Sequence, residues 1–200
     1  MKQISYILLL LFSCGMFFPV LHAQEEQLHA DLEVYVQSTL DMDFAGIVEF
    51  TPPELLEFMG GDKAKVIEAM EGMLINETME TSFSECSMAE DEIVLVSDAE
   101  NHYALIPSRS VGAMRFLGKD ALETAKSALS IFEMQMGEKN VDLDEKTATI
   151  TMVIEKDMYG ILKPDYDHWV FVEAGDGTLI MLPDLIPPHV VEQLEAPTQE

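Results

Sequence analysis

Between residues 26 and 74 the apolar positions step by three and four, the period of a helix with one buried face. Leu28, Leu32, Tyr35 or Val36, Leu40 and Phe44 make the first such stripe. It predicts a helix over about 26–44, loosened at its end by Gly46, with Ile47, Val48 and Phe50 carrying the apolar surface onward. Thr51-Pro52-Pro53-Glu54 reads as the start of a second helix. Thr51 would cap it, proline suits the first turn, and Glu54 lies three residues after the cap as in a capping box. Leu55, Leu56, Phe58 and Met59 form its apolar side, and Gly60-Gly61 ends it. Asp62 then caps a third helix, with Val66, Ile67, Met70, Met73 and Leu74 spaced for burial.

Beyond Asn76 the period shortens to two. Residues 79–88 alternate loosely around Phe83, and 92–96, 103–107 and 111–117 are short β-branched or apolar runs. Together they predict an antiparallel meander, with a polar turn at 97–101. Residues 120–137 interrupt it. Leu122, Ala125, Leu129, Phe132 and Met136 are spaced for a helix, opened by Asp120 and Glu123 and closed by Gly137, although a misread long strand is the alternative. Strand patterning returns over 147–154, extended or bent through Gly160 to Leu162, and again over 168–173, where Trp169 and Phe171 share a side. A turn at 163–167 separates the two. Residues 178–182 are expected to close the sheet or lead into Pro183, a last short helix follows Pro187-Pro188, and 195–200 form a frayed tail. Helices first and strands after describe an α+β domain, N-terminal helices packed on a curved antiparallel sheet.

Length and charge narrow the picture. The chain has 200 residues, 48% of them apolar, which suits one domain with a sizeable core over 24–194. Its formal charge of -26, from 37 acidic against 11 basic residues, argues against nucleic acid as a partner and against an anionic membrane surface. At the N-terminus, Lys2 precedes an almost wholly apolar run over 4–20, then Leu21-His22-Ala23 and a polar stretch. That pattern is a secretory signal peptide over 1–23, cleaved after Ala23, and it implies a periplasmic or extracellular protein without stable membrane insertion. The minority alternative is a lipoprotein anchored at Cys14, from the lipobox-like Leu11-Phe12-Ser13-Cys14. Cleavage at Ala23 would leave Cys86 as the single cysteine, so no internal disulfide would staple the mature chain.

Several features together resemble exported bacterial members of the NTF2-like (cystatin-like) superfamily. They are Tyr35-Val36 with Leu40 and Asp43-Phe44, Pro53 with Leu55, Gly60-Gly61, a third helix to Met73, the Trp169-Val170-Phe171-Val172 strand, and the proline-bounded Leu182 to Pro187. The resemblance spans most of the chain after residue 23 and rests on spacing and punctuation. It implies a cone in which a bent sheet wraps a long helix, serving as a ligand pocket, an active site or a filled core.

On that reading Tyr35, Phe44, Tyr103, Trp169 and Phe171 are candidates to line a pocket. The function expected is non-enzymatic binding of a small apolar ligand or a protein partner, with a homodimer through the sheet face as one form. The alternative is an enzyme like the ketosteroid isomerases or polyketide cyclases. There a buried carboxylate acts as general base, and Asp43 with Tyr35 or Tyr103 would be the catalytic set, His102 a further nominee. The bland readings are a solvated helix end for Asp43, core packing for Tyr35 and Trp169, and an exposed turn for His102. No cofactor is expected. No metal is expected either, because the acidic runs at 142–145 and 165–167 lack a calcium-loop spacing and read as charged turns.

Overall fold

The computed structural model describes residues 17–175 and 181–196, the first six of these by backbone alone. The signal-peptide and lipobox features over 1–16, residues 178–180 of the segment expected over 178–182 and residues 197–200 of the expected tail lie outside the described residues; Leu182 itself opens a helix. The fold is α+β, with helices preceding a seven-stranded, curved antiparallel sheet.

The helical region has more and shorter pieces than the hydrophobic stripe suggests. Helix α1 (Phe17–Leu40) ends at Leu40, not at Phe44. Met42, at φ 55°, turns the chain, and Asp43 caps a separate helix α2 (Phe44–Glu49) by accepting from the Gly46 amide at 3.1 Å. Gly46 does more than loosen a helix end. A Cβ there would stand 2.4 Å from Ser38 Oγ, so glycine is what lets α2 fold back against α1.

Helix α3 (Pro53–Phe58) starts after Pro52, and the expected capping box is not formed. The Thr51 hydroxyl donates back to Ile47 O at 3.3 Å, and Glu54 is engaged elsewhere. Helix α4 (Lys63–Leu74) is capped by Asp62, which accepts from Ala64 N and Lys65 N as the sequence predicts.

The strands are β1 (Ile75–Asn76), β2 (Met79–Met88), β3 (Val94–Asp98), β4 (Asn101–Phe116), β5 (Val141–Asp144), β6 (Thr149–Leu162) and β7 (Val170–Glu173). The two long antiparallel strands β4 and β6 form the spine, in register from His102 opposite Leu162 to Arg115 opposite Thr149. The meander expectation is corrected here. The runs at 103–107 and 111–117 join into one strand, and β2 and β3 do not pair with each other. Both pair with β4, end to end along the same edge. Pro107 sits in the gap between them. Its carbonyl accepts from Ala89 N at 2.9 Å on that side, so its missing N–H falls where no strand needs it. Strands β5 and β7 divide the other edge of β6 in the same way.

Side chains alternate across this spine. Ala104, Ile106 and Met158 face α1 with Leu28, Leu32, Trp169 and Phe171. On the same side of β6, Ile150 and Met152 pack under α5 (Ala121–Met136), where Ala125, Leu129 and Phe132 form the stripe expected for that helix. Tyr103, Tyr159 and Ile161 point the other way, onto α6 (Leu182–Leu185) and α7 (Pro188–Leu194). One half of the sheet is therefore covered on both faces. In the other half, α1 lies over β2 and α5 over β5 and β6 on one face, while on the other face Val111, Ala113, Thr151 and Val153 stay part-exposed among the described residues.

Candidate functional site

The residues singled out in the sequence fall into three places. Asp43 is exposed, and its carboxylate is committed to capping α2. Tyr35, Trp169 and Phe171 come together beneath α1, joined by Phe50, which the sequence did not single out for this role. The Tyr35 ring lies 5.3 Å from that of Phe171 and 6.2 Å, edge-on, from that of Phe50. Phe50 in turn stacks on Phe171 at 5.8 Å. Trp169 is wholly buried, and burial, with the charge of Glu173, drives the Tyr35 hydroxyl far above its ordinary range. Phe44 is buried at the start of α2. Tyr103 is buried on the opposite face of the sheet, so it shares no cavity with Tyr35. Packed rings fill the space between α1 and β7, and Asp43 lies outside it.

His102 is a half-buried strand residue, not part of an exposed turn. Its Nδ1 is 2.9 Å from Ser97 Oγ, and its Nε2 is 2.6 Å from Gln24 Nε2. Burial pulls its pKa below the ordinary histidine value. Gln24 also accepts from Trp169 Nε1 through its carbonyl, and Asp31 accepts from the Trp169 amide at 2.9 Å. These polar contacts bolt the first turns of the packed part of α1 to the start of β7.

A second polar node was not legible from spacing, because its members are more than 100 residues apart. Glu54, at the start of α3, accepts from Lys163 Nζ at 2.5 Å and from the Tyr166 hydroxyl at 2.7 Å. Burial alone would raise the Glu54 pKa, but these two donors hold it below the ordinary value. Tyr166 is correspondingly pushed far up, by burial first and then by its bond to Glu54. The node fastens α3 to the turn between β6 and β7.

Among the described residues, two open surfaces flank β2. The first is the uncovered sheet face. Val111 lies opposite Val153 and Ala113 opposite Thr151, all of them half-exposed. Cross-strand ion pairs bound this centre, Arg109 to Glu85 at 2.8 Å and Arg115 to Glu80 at 2.6 Å. Open depressions lie at its ends. One, of about 550 Å³, includes Ser87, Pro107, Arg109, Glu155 and Asp157. The other, of about 360 Å³, includes Ile75, Ser82, Ala113 and Thr149. The second surface is a groove of about 580 Å³ between α1 and β2, with Leu32, Val36, Cys86 and Met88 along its floor and His29, Glu33 and Glu90 at its rim. Cys86 is half-buried there, and burial followed by the charge of Glu173 raises its thiol pKa, which disfavours the thiolate.

Among the described residues no three His, Cys, Asp or Glu side chains converge as metal ligands, and no helix is long and apolar enough to cross a membrane. Asp144 of the acidic 142–145 run ends β5 and holds the following turn, accepting from Lys146 N and the Thr147 hydroxyl at 2.9 Å each. Comparisons with family models, with curated proteins and with solved structures found no match.

Proposed function

We propose that this chain is an exported, non-catalytic domain that docks a protein partner on the uncovered face of its sheet. The observation that carries the reading is the centre formed by Val111, Ala113, Thr151 and Val153, left open between two rows of charge. An apolar centre inside a polar rim is the anatomy of a protein interface. Export rests on the apolar run over 4–20 and the small residue at Ala23. Kinship with NTF2-like domains is kept as part of this reading, on the support of the curved sheet and the long helix. A small apolar ligand is the weaker reading, because packed rings fill the space between α1 and β7 and the groove toward β2 lies open to solvent.

The rim favours a basic partner over a second copy. Glu155 and Asp157 add negative charge beyond the two Arg–Glu pairs, and the whole chain carries -26. The test places a photo-crosslinking residue at Val153 and, separately, at Glu133 on α5, in the native host. Crosslinks to one protein from position 153 and none from 133 are expected. A crosslinked product of twice the chain's mass would make the occupant a second copy and overturn the basic-partner assignment. Crosslinks equal at both positions, or absent from 153, would overturn the docking surface itself.

A further inference from the structure

The outer edge of β2 and the groove beside it form a second, separate surface, and we infer that it accepts an extended, basic polypeptide strand. Strand β1 pairs only with Met79 and Glu80, and among the described residues no strand pairs with the outer edge of β2 from Thr81 to Met88. An uncovered edge is a row of backbone donors and acceptors ready for another strand. Natural edges are blunted by lysine, proline or a bulge. Over 79–88 there is no lysine or proline, and a single bulge falls between Phe83 and Glu85.

Charge decides which strand can add. Glu33 and Glu90 stand at the groove beside the edge, so pairing two copies there would bring like charges together. A strand carrying lysine or arginine would meet Glu33 and Glu90 at the groove rim instead. Side-chain chemistry supplies the remaining constraint. In an added strand, alternate side chains point to the same face. Those facing α1 would enter the groove over Leu32, Val36, Cys86 and Met88, which suits an aliphatic residue of modest size. His29, 3.7 Å from Glu90, marks the end of the groove nearest the start of α1. The geometry is strand addition between an edge strand and a flanking helix, with backbone bonds providing affinity and the groove providing selection.

The probe is a fluorescein-labelled ten-residue peptide of alternating lysine and valine, titrated into the full chain at 150 mM salt, with the glutamate–valine peptide as its counterpart. Hydrogen exchange then locates the contact. The lysine peptide should bind, slow amide exchange within 81–88, and lose at least tenfold in affinity on Glu33→Lys with Glu90→Lys, or on Val36→Glu alone. Charge reversal of Glu123 and Glu133 on α5 should leave the affinity within twofold. If the α5 reversals weaken binding as much as the groove reversals, or if the β2 amides stay unprotected, the contact is diffuse charge attraction and the inference is wrong. Val111→Glu separates this surface from the sheet face, since it should leave peptide binding unchanged whether or not the proposed docking face is correct.

Discussion

Gly160 sits in the middle of β6, directly beneath the Trp169 ring, and its replacement by alanine is a sharp test of how the core under α1 is packed. A methyl at Gly160 would stand 3.2 Å from Ala104 Cβ, 3.2 Å from Trp169 Cε3 and 3.3 Å from Ile106 Cδ1. All three neighbours are buried, with Trp169 and Ile106 at 0% exposure, so none can swing aside into solvent. Alanine would gain about 0.4–1 kcal/mol by restricting the unfolded chain. Overpacking a close-packed core costs about 1–3 kcal/mol, because rotamers or backbone must shift.

The second effect wins. Gly160→Ala should lose about 1–2 kcal/mol, a fall in Tm of about 2–8 °C for a domain of this size. The assay is urea unfolding followed by the emission of Trp169, the chain's single tryptophan, which lies at the crowded point. A second substitution tests the cause. Ile106→Val alone should cost about 0.5–1.5 kcal/mol. In the Gly160→Ala background it removes Cδ1, one of the three crowding atoms, and should cost distinctly less, a coupling of about 0.5 kcal/mol or more. A Gly160→Ala variant as stable as the parent, or strictly additive effects, would refute the packing argument.

Three further predictions follow from polar and backbone features. Burial holds the His102 pKa below its ordinary value, so the folded state favours neutral imidazole; its contribution is complete above about pH 6.5 and is lost as pH falls from there toward the folded pKa. The stability difference between parent and His102→Gln, measured by denaturant unfolding from pH 7.5 to 5, should therefore shrink on acidification, and a constant difference would contradict the burial. Glu54→Gln should cost about 1–2 kcal/mol at pH 7, since the carboxyl is over a third exposed and its bonds to Lys163 and Tyr166 are partly screened. With a depressed pKa, that contribution is present above about pH 4.3 and lost as pH falls below it, and the same unfolding assay reads both. Ala99 holds φ 55° in the turn between β3 and β4, so Ala99→Gly should raise stability by about 0.5–1 kcal/mol in thermal unfolding, against the usual effect of a glycine.

Local signals were read correctly wherever the local environment decides the outcome. The Asp62 cap, the α5 stripe from Leu122 to Met136 and the pairing of Trp169 with Phe171 on one side of a strand all follow from neighbours within a turn or two. Misreadings occur where distant partners decide. The Thr51–Glu54 capping box yields to Lys163 and Tyr166, whose two bonds to Glu54 outweigh one weak cap. The meander fails because β-runs encode faces and not neighbours: nothing in 79–88 or 92–96 says that both will lie against β4. The candidate site divides in the same way. Alternation brings Trp169 and Phe171 together, but which face Tyr103 takes relative to Tyr35 depends on the register of β4 against β6. Spacing alone makes Gly46 a loosening element, whereas Ser38 Oγ, 2.4 Å from where a Cβ would stand, marks a close crossing of two helices.

The size of the open sheet face sets what can sit on it. From Arg109 to Arg115 the strands run about 20 Å, at roughly 3.3 Å per residue, and four neighbouring strands about 4.8 Å apart add about 15 Å. That gives roughly 300 Å², while a stable partner covers about 800 Å² on each side. The face alone is therefore too small for a lasting complex. A partner seated on Val111 and Val153 must also reach the depressions at Pro107 and at Ile75, both of which open next to β2. The edge of β2 borders this face on one side and the α1 groove on the other. A single partner with a body on the sheet and an extended arm along β2 would use both surfaces, and Val111→Glu and Val36→Glu would then weaken its binding by more together than either does alone. Two independent partners would instead leave each substitution silent for the other's ligand, and a competition experiment between the crosslinked protein and the lysine–valine peptide distinguishes the two arrangements.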